Sequence, residues 1–242
     1  MKLIFIKREK IATDAWANHF EKPAGFDYQP GQFIEVVLKH PNEDDRGEKR
    51  WFTLSSSPTE PDLVIRTRFV QSRRSSFKAA LYHLEPGDSM EFTGPDGDFV
   101  LPKPKSEKLV WVAGGIGITP FRSQLKYMLD TNDLDRKIIL FYGNRTEQDN
   151  IVDDLLKEVS AKMPKFKLVE VLSESPPAGW QGEHGYIDPA LIKKYVQDLN
   201  NFDYYVSGPE PMVDALKDKL TGVGIAEDQI HGDWFPGYTD KF

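Results

Sequence analysis

In 242 residues the chain carries 31 basic and 38 acidic side chains, a net charge of −7, and no cysteine. The length suffices for two ordinary domains, and 39% hydrophobic against 29% charged residues is the balance of a globular chain. The acidic balance and the lack of a basic tract argue against a nucleic-acid surface, and the missing cysteines exclude disulfides, thiolate metal sites, thiolate-held iron–sulfur clusters and a cysteine nucleophile within these residues.

The five histidines (His19, His40, His83, His184 and His231) are scattered and make no metal-ligand spacing. The N-terminal MKLIFIKREK is too short an apolar run for a signal peptide, and no run approaches the ~20 apolar residues of a membrane span. A reducing cytoplasm is the expected compartment.

The first hundred residues predict short strands at Leu3–Ile6, Ala15–Phe20, Gln32–Leu38, Arg50–Leu54, Asp62–Val70 and Ser89–Thr93, with turns such as Tyr28-Gln29-Pro30-Gly31 and Glu85-Pro86-Gly87-Asp88 between them. A polar loop covers His40–Lys49, and one short helix is expected near Phe77–Leu84. Such a set suggests a small closed barrel. The prolines of Leu101–Ser106 read as a linker, which divides the chain into residues 1–103 and 104–242.

Beyond the linker, strands and helices alternate. Strands are predicted at Leu109–Val112, Lys137–Tyr142, Phe166–Leu172, Asp203–Ser207 and Gln229–Asp233. Helices fall near Phe121–Leu129, Val152–Lys162, Pro189–Gln197 and Met212–Leu220. This grammar implies a parallel sheet with helices on both faces.

Four stretches carry chemistry. In Leu109–Pro120, LVWVAGGIGITP, an apolar strand stops at Gly114, Gly115 and Gly117. Thr119 is placed to cap the next helix and Pro120 to enter its first turn, leaving amides at a helix N-terminus for a pyrophosphate. In Arg50–Pro58, RWFTLSSSP, Arg50 and Phe52 share a strand face, suited to a phosphate and a flat ring; an edge strand with a Ser-rich turn is the plain alternative. In Ser72–Phe77, SRRSSF, Ser75 or Ser76 caps a helix with Arg73 or Arg74 near an anion; an ordinary capped surface helix fits as well. In Tyr204–Met212, YYVSGPEPM, a strand ends at Ser207 and turns through Gly208-Pro209 at the carboxyl edge of the sheet, where open α/β folds bind ligands.

Together these segments resemble the ferredoxin–NADP reductase family. RWFTLSSSP is similar to its flavin motif, AGGIGITP to its nicotinamide-nucleotide pyrophosphate loop and SGPEPM to its Cys-Gly-Pro-x-x-Met segment, while Gly94–Phe99 and the ending Asp233-Trp234-Phe235 also fit. The resemblance implies a six-stranded antiparallel Greek-key barrel holding FAD (residues 1–103), followed by a five-stranded parallel, doubly wound domain for NADP or NAD (residues 104–242). Carried over, Arg50 contacts the flavin pyrophosphate, Phe52 lies against the isoalloxazine, and Thr53 hydrogen-bonds flavin N5. Ser75 and Ser76 take more of the pyrophosphate. Gly115, Gly117 and Thr119 hold that of the nicotinamide nucleotide, Ser207, Gly208 and Pro209 border the nicotinamide, and Phe235 approaches the other flavin face. Thr53 and Ser207 are the residues expected nearest the chemistry. Trp51, Arg66, Thr67, Phe77, Ile116, Pro120, Asn144 and Met212 complete the expected cofactor-binding set. Ser207 stands where the family often has cysteine.

The resemblance implies an NAD(P)H-dependent flavoprotein reductase that passes hydride to FAD and then electrons to a separate ferredoxin, flavodoxin or oxygenase component. A flavin-holding, non-catalytic electron-transfer or sensor subunit is the alternative. Arg145, after the Lys137–Tyr142 strand, leans the donor slightly towards NADPH, and a solvated loop charge fits it equally.

Overall fold

The computed structural model describes residues 1–41, 43–69, 75–103 and 105–235. The first half contains β1 (Lys2–Lys10), β2 (Ala15–Glu21), β3 (Phe33–Val37), β4 (Lys49–Thr53), β5 (Asp62–Arg68), α1 (Ser76–Tyr82) and β6 (Ser89–Asp96). All six strands pair antiparallel in the order β4-β3-β6-β1-β2-β5. Alternation puts Ile34, Val36, Leu63, Ile65, Met90 and Phe92 inside, and α1 adds Phe77 and Leu81 to the same core. β1 runs past the expected Ile6 to Lys10, because its polar half still ladders onto β2 from Lys7–His19 to Lys10–Trp16.

The barrel is pinched shut at one end only. Beyond β4 the Ser55 amide donates to the Val64 carbonyl at 2.9 Å, and the Val64 amide donates to the Ser56 hydroxyl at 3.0 Å. Towards Arg50 and Arg66 the edge strands β4 and β5 share no ladder among the described residues, which leaves an open seam.

The second half contains β7 (Lys108–Gly114), a 3-10 turn (Gly115–Ile118), α2 (Thr119–Asp130), β8 (Lys137–Asn144), α3 (Asp153–Lys162), β9 (Phe166–Leu172), β10 (Glu183–His184), α4 (Pro189–Tyr195), β11 (Asp203–Pro209), α5 (Glu210–Gly222) and β12 (Ile230–Phe235). They form a parallel sheet in the order β10-β9-β8-β7-β11-β12. The five expected strands are joined by β10, whose two residues carry no apolar run that a sequence pattern could register. Leu109, Trp111 and Ala113 of β7 face the core shared with Phe121, Leu125 and Met128 of α2 and Leu156 and Val159 of α3. Val110 and Val112 face that of Ile192, Val213 and Leu216 from α4 and α5. The sheet is thus covered on both sides, and the strand order reverses direction between β7 and β11, the place where such sheets open a crevice.

Polar contacts join the two halves. Arg122 of α2 forks onto Glu60, with Nη2 to Oε1 at 2.8 Å, and donates to the Ser55 carbonyl at 3.1 Å. Ser123 donates to the Ser56 carbonyl at 2.5 Å, and Gln124 to that of Phe99 at 2.9 Å. On the other flank Arg66 donates to the Ile151 carbonyl, and Arg68 pairs with Asp14 and, at 3.0 Å, with Asp149. The open seam is thereby held facing the carboxyl ends of β7 and β11. Among the described residues no helix is long and apolar enough to cross a membrane.

Candidate functional site

A cavity of ≈ 260 Å³ lies in the seam, bounded by Arg50–Thr53 of β4, Arg66 and Thr67 of β5, and Ile116, Thr119 and Phe235 from the other half. That is near the low end for a small-molecule site. Thr53 and Thr67 are 5% and 2% exposed, so the inner wall is polar and closely covered. Two of its groups, Arg66 Nε and Thr67 Oγ1, are buried with no hydrogen-bond partner. Buried polar atoms are rarely left so, and a flat aromatic ligand with a hydrogen-bonding edge would answer both. A flavin ring fits these donors and walls. Burial, with the Arg122 charge adding, lowers the Arg66 pKa to about 10, so it remains a cation at neutral pH.

Arg50 and Phe52 share a face, and both rest on Phe77: the guanidinium lies 5.1 Å from the Phe77 ring centroid and the Phe52 ring 5.9 Å from it. Phe77 is itself fully buried, so it supports the wall from behind and does not line the cavity. Trp51 stands at the rim, 53% exposed. Arg50 donates to the carbonyls of Arg46, Gly47 and Lys49 at 2.7, 2.8 and 2.6 Å. Its Nη2 is 3.5 Å from Asp44 Oδ1.

Ser75 caps α1 by accepting from the Lys78 amide. Ser76, expected to offer groups to an anion, is engaged by the chain itself. Its amide donates to Asp44 Oδ2 at 2.7 Å, and its hydroxyl meets His40 Nε2 at 2.8 Å and the Asp44 amide at 3.0 Å. The Asp44 carboxylate thus stands between Ser76 and Arg50. The other expected anion contacts, Arg73 and Arg74, lie outside the described residues.

The glycine turn differs in detail from expectation. Gly115 adopts φ +52°, which favours glycine. The chain then makes a 3-10 turn before α2, so Thr119 is the first helical residue and not the cap; its hydroxyl donates back to the Ile116 carbonyl at 3.1 Å. Pro120 is buried in the first turn. Met212 fills the space a side chain on Gly114 would need and also reaches Gly208, so its sulfur packs the turn against the end of β11.

Ser207 is fully buried and, unlike Thr53, is not among the residues that line the cavity. Gly208 and Pro209 follow it at the end of β11, where Pro209 pairs with Phe235 of β12. The Ser207 hydroxyl donates to Asp233 Oδ2 at 3.2 Å. Burial pushes the Asp233 carboxyl up to about 6, with Asp98 adding to the rise and the Ser207 hydrogen bond opposing it. This carboxylate, beside Ser207, has no signature in the sequence beyond its place in the Asp-Trp-Phe ending. Asn144 and Arg145 sit together at the end of β8, away from the cavity; Asn144 Oδ1 is buried and unpartnered, and Arg145 lies 3.5 Å from Asp149.

Residues 111–218 match the oxidoreductase NAD-binding domain family. The chain is 30% identical to a flavohemoprotein of Rhizobium meliloti (strain 1021) over 244 residues, covering 96% of this chain and 60% of that protein. It is also 30% identical to the reductase component of propane 2-monooxygenase from Rhodococcus jostii (strain RHA1), covering 88% of this chain and 57% of that one. It therefore spans about three-fifths of the length of these curated relatives. A ferredoxin NADP+ reductase from Neisseria gonorrhoeae with bound FAD and NADP superposes with a TM-score of 0.78 at 19% identity, over 96% of this chain and 97% of that one. Residues 111–218 thus belong to the oxidoreductase NAD-binding domain family, and with a six-stranded antiparallel barrel in front of that parallel sheet the chain has the fold of the ferredoxin NADP+ reductase on which it superposes.

Proposed function

We propose that this chain is an NAD(P)H-dependent flavoprotein reductase, with residues 1–103 holding FAD, residues 104–242 taking the nicotinamide dinucleotide, and a separate protein accepting the electrons. A bound flavin supplies the chemistry, since it accepts a hydride and releases electrons singly. The observation that carries this proposal is the pair of orphaned groups, Arg66 Nε and Thr67 Oγ1, on residues lining a cavity that the turn after β7 closes with Ile116 and Thr119.

Each residue then has a part. Phe52 and Phe235 offer apolar walls for a flat ring, and Thr53 and Thr67 offer hydroxyls at its edge. Arg50 offers charge to a phosphate once Asp44 gives way, and Ser75 keeps α1 in place. The turn from Gly115 to Thr119 is suited to the dinucleotide pyrophosphate, with Ile116 and Pro120 fixing its shape. Ser207 and Asp233 lie under the place where nicotinamide would enter. The protein's contribution is distance, orientation and exclusion of water.

A separate acceptor is favoured by the kind of relative this chain resembles, including a monooxygenase reductase component. The test is the visible spectrum of the purified protein, recorded anaerobically before and after NADH or NADPH. The expected result is a flavin spectrum that bleaches. A bound flavin that neither donor bleaches would overturn the proposal.

A further inference from the structure

If the proposed function holds, the pyrophosphate lies on the turn after β7 and the nicotinamide points towards β11. The adenosine half must then lie over the carboxyl ends of β8 and β9, the next strands outward. Those ends run side by side: the Ser173 amide donates to the Asn144 carbonyl at 2.9 Å, and the Glu174 amide to the Arg145 carbonyl at 3.0 Å. Arg145 and Glu174 therefore share one edge.

Arg145 is the cation that would welcome a 2′-phosphate, but its charge is already answered. Its guanidinium lies 3.5 Å from Asp149 Oδ1. Asp149 cannot swing away, because its other oxygen accepts from the Thr146 amide and hydroxyl, both at 3.1 Å, and Arg68 holds it at 3.0 Å. Arg68 is in turn paired with Asp14. Two guanidinium groups, Arg68 and Arg145, thus stand against Asp14 and Asp149, and the exposed Glu147 and Glu174 remain as surplus carboxylates. The nearby Glu170 carboxyl is pushed up chiefly by burial, with Asp153 and Glu147 adding to the rise and the Asn150 hydrogen bond and Lys157 opposing it. A ribose 2′-phosphate brings nearly two further negative charges to this edge, whereas a free 2′-hydroxyl can donate to a carboxylate.

The geometry points to NADH as the preferred donor, with Glu174 as the residue that discriminates against the 2′-phosphate and Arg145 neutralised by Asp149. This reverses the lean towards NADPH that Arg145 suggests when the sequence is taken alone.

Two measurements test it. Anaerobic bleaching of the flavin-loaded protein is followed against NADH and NADPH concentration, and 5′-AMP and 2′,5′-ADP are titrated by calorimetry. NADH should be at least tenfold more efficient, and 5′-AMP should bind several-fold more tightly. Glu174→Lys should shift both ratios towards the phosphorylated ligand by at least tenfold, which a merely structural role at this exposed position would not do. Equal or better use of NADPH by the wild-type chain, unmoved ratios in Glu174→Lys, or no binding of either adenine nucleotide would each overturn the inference. A bound flavin that neither donor bleaches, beside the expected calorimetric order, would sink the reductase proposal and leave this selectivity standing.

Discussion

A Cβ on Gly117 would sit 2.2 Å from the Ser207 carbonyl oxygen and 2.6 Å from the Gly208 Cα. The turn after β7 is therefore pressed directly onto the end of β11, backbone against backbone. This contact puts the proposed pyrophosphate loop and the proposed nicotinamide strand within reach of one dinucleotide.

Gly117→Ala should accordingly act on both strands at once. The colliding atoms are backbone, so no side chain can swing aside. Overpacking of this kind costs about 1–3 kcal/mol, which should appear as a lowered denaturation midpoint. Dinucleotide binding should fall with it. A variant of wild-type stability would mean that the two segments are not in contact.

Thr67→Val separates the empty slot from the filled one. The Thr67 hydroxyl is buried without a partner, so its removal should leave the flavin-free chain as stable or slightly more so. If a flavin edge satisfies that hydroxyl, the same change should weaken flavin binding by about 1 kcal/mol, roughly fivefold to tenfold. Fluorescence titration of FAD into both proteins, beside urea denaturation of each, checks the two signs independently. Unchanged flavin affinity would remove Thr67 from the site.

The elements themselves were legible because their apolar patterns are clean. β7 reads as one unbroken apolar run buried on both faces, and α2 repeats Phe121, Leu125 and Met128 on one face. The glycine turn was legible because Gly115 takes a positive φ that favours glycine and Gly117 sits where a side chain would not fit. What escaped depends on pairing between distant segments. Nothing in the His40–Lys49 loop announces that Asp44 will cross to Ser76, 32 positions later. Nor does Asp233 announce Ser207, which becomes its partner only because β11 and β12 run parallel in that register. The pairing of Arg145 escaped for the same reason: its charge is plain in the sequence, while its contact with Asp149 depends on the capping box that fixes that carboxylate.

The Arg122–Glu60 fork should carry much of the alignment between the two halves. Both side chains are mostly buried, at 14% and 19% exposure. Burial works to raise the Glu60 pKa, but the Arg122 hydrogen bonds and charge prevail and hold it below the usual range. The stability it contributes is therefore present above that range and lost as pH falls through the lowered value. A double-mutant cycle with Arg122→Ala and Glu60→Gln should give a coupling of about 0.5–3 kcal/mol. The coupling should vanish below the Glu60 pKa. Additive effects at neutral pH would place the alignment elsewhere.

Asp233→Asn should flatten the stability profile in mildly acidic solution. In the folded chain this carboxyl is pushed from 3.8 up to about 6, chiefly by burial. Between those values the folded state keeps a proton that the unfolded state has released, so stability falls as pH rises through the window. Below the unfolded value the contribution is fully present; above about 6 it is gone. The loss is at most about 3 kcal/mol from the size of the shift, and less for a carboxyl that solvent still partly reaches. Asparagine keeps the shape and still offers an oxygen to the Ser207 hydroxyl, but it carries no titrating proton. Denaturation midpoints of the wild type and the variant should therefore converge near pH 4 and separate by pH 7, with Asp233→Asn the more stable at the higher pH. Parallel profiles across that range would show that the carboxyl titrates alike in both states and that its burial beside Ser207 exerts no strain.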